Sequence, residues 1–411
     1  MDLIKTVYQI RHKISILSLI LVLLLSLGSC DSTSSGPDNT VYERGEVISS
    51  RVVSYSKESL EFLLGSADID FPYELKYSVD FISITYQTVD IDGNNTRASG
   101  ALMLPKYSGS MPFLTVTHGT VSKKSNVASV SPINFEGSYV EGVVGLFTAS
   151  MGYVASVPDY TGMGVSDKLH PYVHAKSLAI AVIDFMRASR NYCDSHNITL
   201  SDKLFLTGYS EGGYAAMATQ KEIEASYGSE FTLTAVAPMA GPYNLLGTAE
   251  TLLRKTEYHF PMYLAYVLTA YNDIYGWDKL NHFFTDPYAA VVPGLFDGTN
   301  SIFEINDQLP NVIRDLVKAE YIESFLDSTE TDLRTALAEN NLLDWTPVTP
   351  MKLYHGDADS TVFYQNSLDA LQHLTDNGAT DIELITISGG THLTAGFPAF
   401  IGAIGWFESL R

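Results

Sequence analysis

The pentapeptide Gly208-Tyr209-Ser210-Glu211-Gly212 sets a serine between two glycines. A serine hydroxyl is a weak nucleophile near neutral pH and needs a base to take its proton. Lys203–Thr207 reads as a strand running into the pentapeptide, and Gly213–Tyr227 reads as a helix leaving it. A tight strand-to-helix turn leaves no room for side chains at its flanks, hence Gly208 and Gly212, and it pushes the Ser210 hydroxyl out over the carboxyl edge of a sheet.

The base should lie near the end of a later strand, with an acid to orient it. Met351–His355 is a strand candidate that ends in Gly356-Asp357-Ala358-Asp359-Ser360. Ile382–Ile387 is another, and it ends in Ser388-Gly389-Gly390-Thr391-His392. His392 is therefore the candidate base, and Asp357 and Asp359 compete for the acid. For the remaining histidines a structural role is expected; His118 and His355, at strand ends, should shape loops. A tetrahedral intermediate would need backbone N–H donors aimed at its oxyanion. The amide of Glu211, directly after Ser210 at a helix start, is one candidate. The loop His118-Gly119-Thr120 offers the other, at Thr120. The Glu211 side chain is expected to face solvent or cap the helix, or else to tune the site.

These residues need a scaffold. Val79–Val89 and Arg97–Leu104, joined across Asp92-Gly93-Asn94-Asn95, give a hairpin signal. Met111–Thr117 and Tyr153–Pro158 are further short apolar strands, with a helix expected over Tyr139–Met151 between them. Ala175–Asn191 carries apolar residues near a 3.6-residue period. Leu233–Pro238 is a strand, Tyr364–Asn377 a helix and Pro398–Leu410 a closing amphipathic helix. Alternating strands and helices imply an α/β fold, with a mostly parallel sheet between helices and the hairpin as its antiparallel edge.

With the residues placed, the chain resembles the α/β-hydrolase superfamily. Within it the chain is similar to the secretory-lipase group and to bacterial lipoprotein esterases and lipases. The matching stretches are Thr117-His118-Gly119-Thr120, Val157–Gly164, Gly208–Gly213, Tyr354–Val362 and Thr391-His392-Leu393. The order Ser210, Asp359, His392 is the order of that superfamily. The stretch His355–Val362 resembles its H-G-x-x-D-x-x-V segment, which selects Asp359 as the acid and leaves Asp357 as a turn cap. The resemblance implies carboxylic ester hydrolysis through an acyl-enzyme, with no metal and no organic cofactor. Two other readings share these residues: a serine peptidase, and a non-catalytic surface binding protein on a hydrolase scaffold. No propeller-like β domain precedes the catalytic part, and a retired site has no need of all three residues.

Residues from about 242 to 350 separate two sheet strands, too long a gap for a structureless loop. Helices are expected over Pro261–Tyr275, Pro310–Leu326 and Asp332–Asn341, two of them opened by proline, which suits a first helical turn. A helical cap over the carboxyl edge follows. Tyr160, Tyr263 and Tyr266 are the candidate substrate-pocket residues; Phe260, Tyr271 and Tyr275 are further cap aromatics with two readings, lining that pocket or packing the cap onto the core. An apolar, aromatic cap suits an acyl chain or an aromatic acid better than a highly charged substrate.

The amino terminus reads as an address. Lys5, Arg11 and Lys13 precede an apolar run over Ile14–Leu25, then Leu27-Gly28-Ser29-Cys30. This is a signal-peptide layout over residues 1–29, and its ending resembles a bacterial lipobox, with Cys30 as the lipidated residue. Residues 30–42 read as a flexible tether, and 43–411 as the hydrolase domain with its cap. The expected location is the periplasmic face or surface of a bacterial membrane, held by the lipid anchor. The net charge of −22 argues against nucleic acid as a partner, because phosphates would be repelled. Two cysteines, Cys30 and Cys193, cannot build a disulfide framework or a Cys-rich zinc site. The remaining partner is a small-molecule or lipid ester.

Overall fold

The computed structural model describes residues 42–66, 70–133 and 141–411. The signal segment, Cys30 and the tether up to residue 41 lie outside the described residues. Among the described residues, no helix is long and apolar enough to cross a membrane.

The sheet strands are β1 (Val47–Tyr55), β2 (Val79–Val89), β3 (Asn95–Pro105), β4 (Met111–Thr117), β5 (Val154–Pro158), β6 (Leu200–Tyr209), β7 (Ala235–Met239), β8 (Met351–Gly356) and β9 (Ile382–Ile387). They form one sheet in the order β1-β2-β3-β5-β4-β6-β7-β8-β9. β1, β2 and β3 pair antiparallel, and β3 meets β5 antiparallel. From β5 through β9 every pairing is parallel. The expected hairpin is there, but β1 lies outside it as the true edge. β1 was illegible in the sequence because most of its residues stay exposed or half-buried, so no clean apolar face marks it.

Period-two alternation divides the sheet between two cores. Leu204 and Leu206 face one, and Phe205 between them faces the other; Val236 and its neighbours Ala235 and Ala237 divide the same way. α1 (Lys57–Ser66) and α2 (Glu141–Met151) cover one face. α3 (Ala175–Ser195) and α4 (Glu211–Glu222) cover the other, where Leu178, Val182, Phe185 and Met217 are fully buried. Cys193 is a buried free thiol in α3, and burial pushes it up to about 12.

Between β7 and β8 the chain forms the cap: α5 (Leu245–Leu253), α6 (Pro261–Ile274), α7 (Leu280–Phe283), α8 (Tyr288–Leu295), α9 (Ile302–Asn306), α10 (Ile313–Leu316), α11 (Ala319–Leu326) and α12 (Asp332–Glu339). The helix expected over Pro310–Leu326 is two helices instead. Val317 between them is extended (φ −109°, ψ 134°) and bridges Phe284. Val312 bridges Glu257, so Pro310 belongs to an extended lead-in rather than a first turn. β-Branched valines suit both extended positions. After β8 follow α13 (Gln365–Asp376) and, beyond β9, α14 (Gly396–Leu410). α13 and α14 pack on opposite faces of the sheet.

Candidate active site

β4 pairs with β5 on one side and with β6 on the other, so the strand order reverses between β4 and β6. The carboxyl ends there open onto the crevice where α/β sheets bind ligands. Ser210 follows β6 and caps α4. Its N–H donates to the Met239 carbonyl at 2.9 Å, and its backbone sits at φ 61°, ψ −123°. A side chain rarely adopts that conformation, which costs of order 1–3 kcal/mol and persists only when neighbours over-determine it. Close approach explains the flanking glycines. A Cβ at Gly208 would lie 2.1 Å from Thr117 Oγ1, and one at Gly212 would lie 2.2 Å from the Thr117 carbonyl oxygen.

His392 arrives on the loop after β9. Its Nε2 is 2.9 Å from Ser210 Oγ, and its Nδ1 is 2.6 Å from Asp359 Oδ2. A carboxylate only accepts, so Nδ1 carries the hydrogen and Nε2 is left to accept from the serine. The Tyr209 hydroxyl donates to the His392 carbonyl at 2.8 Å and fixes the loop. Asp359 Oδ1 accepts the amides of Thr361 and Val362 at 2.9 and 3.0 Å. Buried His355 holds its Nε2 3.2 Å from Asp359 Oδ2 and 3.0 Å from the Val362 carbonyl. Burial pushes the Asp359 carboxyl up, but hydrogen bonds from His355 and His392, together with their charge, outweigh it and hold the group at about 2. The competing aspartate, Asp357, is exposed, and its Oδ1 accepts the Gly389 amide at 2.6 Å.

The loop after β4 passes over the serine turn: a Cβ at Gly119 would lie 3.7 Å from Ser210 Cβ. Three contacts hold this loop. Glu141 Oε1 accepts the Gly119 amide at 2.9 Å. The Tyr160 hydroxyl donates to the His118 carbonyl at 3.0 Å. His118 Nδ1 lies 2.7 Å from the Gly119 carbonyl. A peptide unit is planar, so fixing the Gly119 carbonyl also fixes where the Thr120 amide points. That amide has no acceptor among the described residues. The Glu211 amide opens α4, and the first amides of a helix have no intrahelical partner.

The Glu211 side chain faces neither solvent nor a cap position. It is buried, and Oε1 is 2.7 Å from His170 Nε2. The carboxyl packs inward because His170, whose Nδ1 donates to the Thr161 carbonyl at 2.8 Å, offers it a partner on the segment after β5.

A cavity of about 90 Å³ opens beside Ser210 and Glu211, walled by the cap residues Leu245, Ala249, Leu252, Tyr263 and Val267, among others. Tyr263 lines it. Tyr160 and Tyr266 do not. Tyr160 lies fully buried behind the β4 loop, 4.2 Å from the His118 ring. Tyr266 stacks between Tyr172 and Phe296, 4.3 Å from each. Phe260 and Tyr275 pack on Tyr263 and Trp277, and Tyr271 donates to the Val173 carbonyl at 3.1 Å. Sequence reasoning missed Tyr172, Tyr258 and the aliphatic α5 wall as cavity residues. It also missed the bracing residues Glu141 and His170, which no motif marks. His355 stands four residues before Asp359, a spacing that could have flagged it.

A mostly parallel sheet with this serine turn at its switch point defines an α/β-hydrolase. The family model described as secretory lipase matches residues 143–410, and the chain belongs to that family. The rice cell wall degrading esterase LipA from Xanthomonas oryzae is 31% identical, with a TM-score of 0.78 over 90% of this chain and 97% of that one. A protein from Legionella pneumophila shares the fold at 24% identity, TM-score 0.80, over 89% and 98% of the two chains. So does Candida antarctica lipase A in its closed state, at 15% identity and TM-score 0.68, over 90% and 82%. No match was found among curated proteins. Family and esterase relative together make the chain a hydrolase of the lipase and esterase kind.

Proposed function

We propose that the chain is a serine carboxylic ester hydrolase that works through an acyl-enzyme. The observation that carries this reading is the unbroken chain from Ser210 Oγ to His392 Nε2, and from His392 Nδ1 to Asp359 Oδ2. Ser210 Oγ attacks the ester carbonyl as its proton passes to His392 Nε2. The Oγ–C bond forms, and the carbonyl oxygen takes the negative charge against the amides of Thr120 and Glu211. As the carbonyl re-forms, the C–O bond to the alcohol breaks and the alcohol leaves with the proton from His392. Water then gives a proton to His392 and adds to the acyl carbon. Collapse releases the carboxylic acid and returns the proton to Ser210. Asp359 stays ionised throughout and stabilises the imidazolium.

The narrow, apolar cavity favours short acyl chains. Purified protein should hydrolyse p-nitrophenyl butyrate faster than the palmitate ester, and Ser210→Ala should lower kcat by about 10⁶-fold. Activity unchanged in Ser210→Ala would overturn the reading, and turnover of peptide anilides with negligible ester cleavage would replace it with a peptidase. The domain division, signal 1–29, tether 30–42 and hydrolase 43–411 with its cap, is part of the same proposal. Export and anchoring rest on the signal-like amino terminus and on the family's secretory character. An alkyne fatty acid fed to expressing cells should label the protein and fail to label Cys30→Ser.

A further inference from the structure

The cavity walls carry few hydroxyls besides that of Ser210, and most of them are already engaged. Tyr172 Oη is 3.0 Å from Thr120 Oγ1, Tyr258 donates to the Thr361 carbonyl at 3.1 Å, and Thr248 donates to Asn366 Oδ1 at 3.1 Å. Tyr263 and Thr361 differ: among the described residues neither side-chain hydroxyl has a partner. Tyr263 is only partly buried and its hydroxyl is not sealed off. Its ring is held at the start of α6, just after Pro261, and packs on Phe260 at 5.9 Å. Tyr263 lines the same cavity as Ser210 and Glu211, so its hydroxyl faces the space a bound ester would fill. A donor left free in an otherwise apolar pocket fixes ligand orientation and gives specificity.

We propose that the Tyr263 hydroxyl donates to a second oxygen of the substrate, so that the site prefers esters with an ether or hydroxyl oxygen near the scissile carbonyl over hydrocarbon isosteres. The inference rests on the ester-hydrolase reading. A hydroxyl hydrogen bond to a neutral acceptor is worth about 1 kcal/mol, or about fivefold in preference.

Two isosteric pairs test it and separate the two places where the oxygen can lie. On the acyl side the pair is p-nitrophenyl 3-methoxypropanoate and p-nitrophenyl pentanoate. On the alcohol side it is 2-methoxyethyl butanoate and butyl butanoate. Intrinsic reactivity cancels when the kcat/KM ratio within a pair is compared between wild type and Tyr263→Phe. The ratio should fall about fivefold in one pair, with the melting temperature unchanged, while Thr361→Val leaves it in place. Ratios unchanged in both pairs, equal losses for both members of each pair, or a ratio that moves only in Thr361→Val would overturn the proposal. A turnover-free arm titrates 4-methoxybutan-2-one and hexan-2-one into Ser210→Ala protein by NMR. The ether should bind more tightly, and Tyr263→Phe should abolish the difference; equal binding in both proteins contradicts the proposal. If wild type cleaves no ester at all, the hydrolase reading fails while the ketone titration still decides the role of Tyr263.

Discussion

At the carboxyl edge of the sheet, Ser210, His392 and Asp359 each sit at a strand end, and backbone groups hold their loops. The cap meets the same cavity with aliphatic and aromatic side chains on α5 and α6. The difference shows in what each region tolerates. The edge tolerates no side chain at Gly208 or Gly212 and holds Ser210 in a strained backbone conformation. The cap is short helices packed through side chains, so its walls can change without moving the strands. Chemistry on this reading is written in backbone geometry, and substrate choice in side chains.

The comparison can be broken at the edge first. Asp359→Asn should lower kcat by about 10⁴-fold, because the amide cannot hold the His392 tautomer. A loss under tenfold in steady-state assays would remove Asp359 from the mechanism. Glu141 comes next. Glu141→Ala should cut kcat by about 10²-fold with KM little changed, since a loosened β4 loop mis-aims an oxyanion donor. Glu141→Gln keeps an acceptor for the Gly119 amide and should restore most of the rate. Equal losses in both variants would separate this carboxyl from the loop's aim.

The cap should respond differently. Leu252→Trp fills the cavity wall and should lower kcat/KM for p-nitrophenyl hexanoate at least about tenfold while sparing the acetate ester, because even one methylene is worth about 1–3 kcal/mol in an apolar pocket. Equal losses for both esters would mean that the wall also positions the chemistry. The smallest effects are in stability against pH. Burial lowers His174 to about 4, against an ordinary value near 6.5. The folded state therefore disfavours its charged form. The stability it contributes is complete above about pH 6.5 and is lost as pH falls towards 4, on the order of 2 kcal/mol. His174→Gln should flatten that limb in urea melts. Asp359, held at about 2, adds stability above about pH 4 that is lost as pH falls through 2, and Asp359→Asn should remove that lower limb.

The same division decided what was legible. β2, β4 and β9 are rich in apolar and β-branched residues, and their bounds agree with the expected ones. Ser210, Asp359 and His392 stood out because a strand must end where each loop begins, and the structure brings the three into one hydrogen-bonded chain. The exposed strand β1 carried no periodic signal. In the cap, α8 contains Pro293, which reads as a break, and α7, α9 and α10 are too short for a period to show. Glu211 and His170 are forty-one residues apart, and Glu141 lies twenty-two from Gly119. Such partners become visible only when the fold closes. The inward turn of the Glu211 side chain is the same kind of fact.

The central claim is that Ser210, activated by His392, is the nucleophile. A fluorophosphonate probe followed by peptide mapping in a mass spectrometer tests it directly. The account predicts one adduct on the Ser210 peptide, abolished by unfolding the protein and strongly slowed in His392→Ala. Ester hydrolysis that persists with Ser210 unmodified, or labelling as fast in His392→Ala as in wild type, would contradict it.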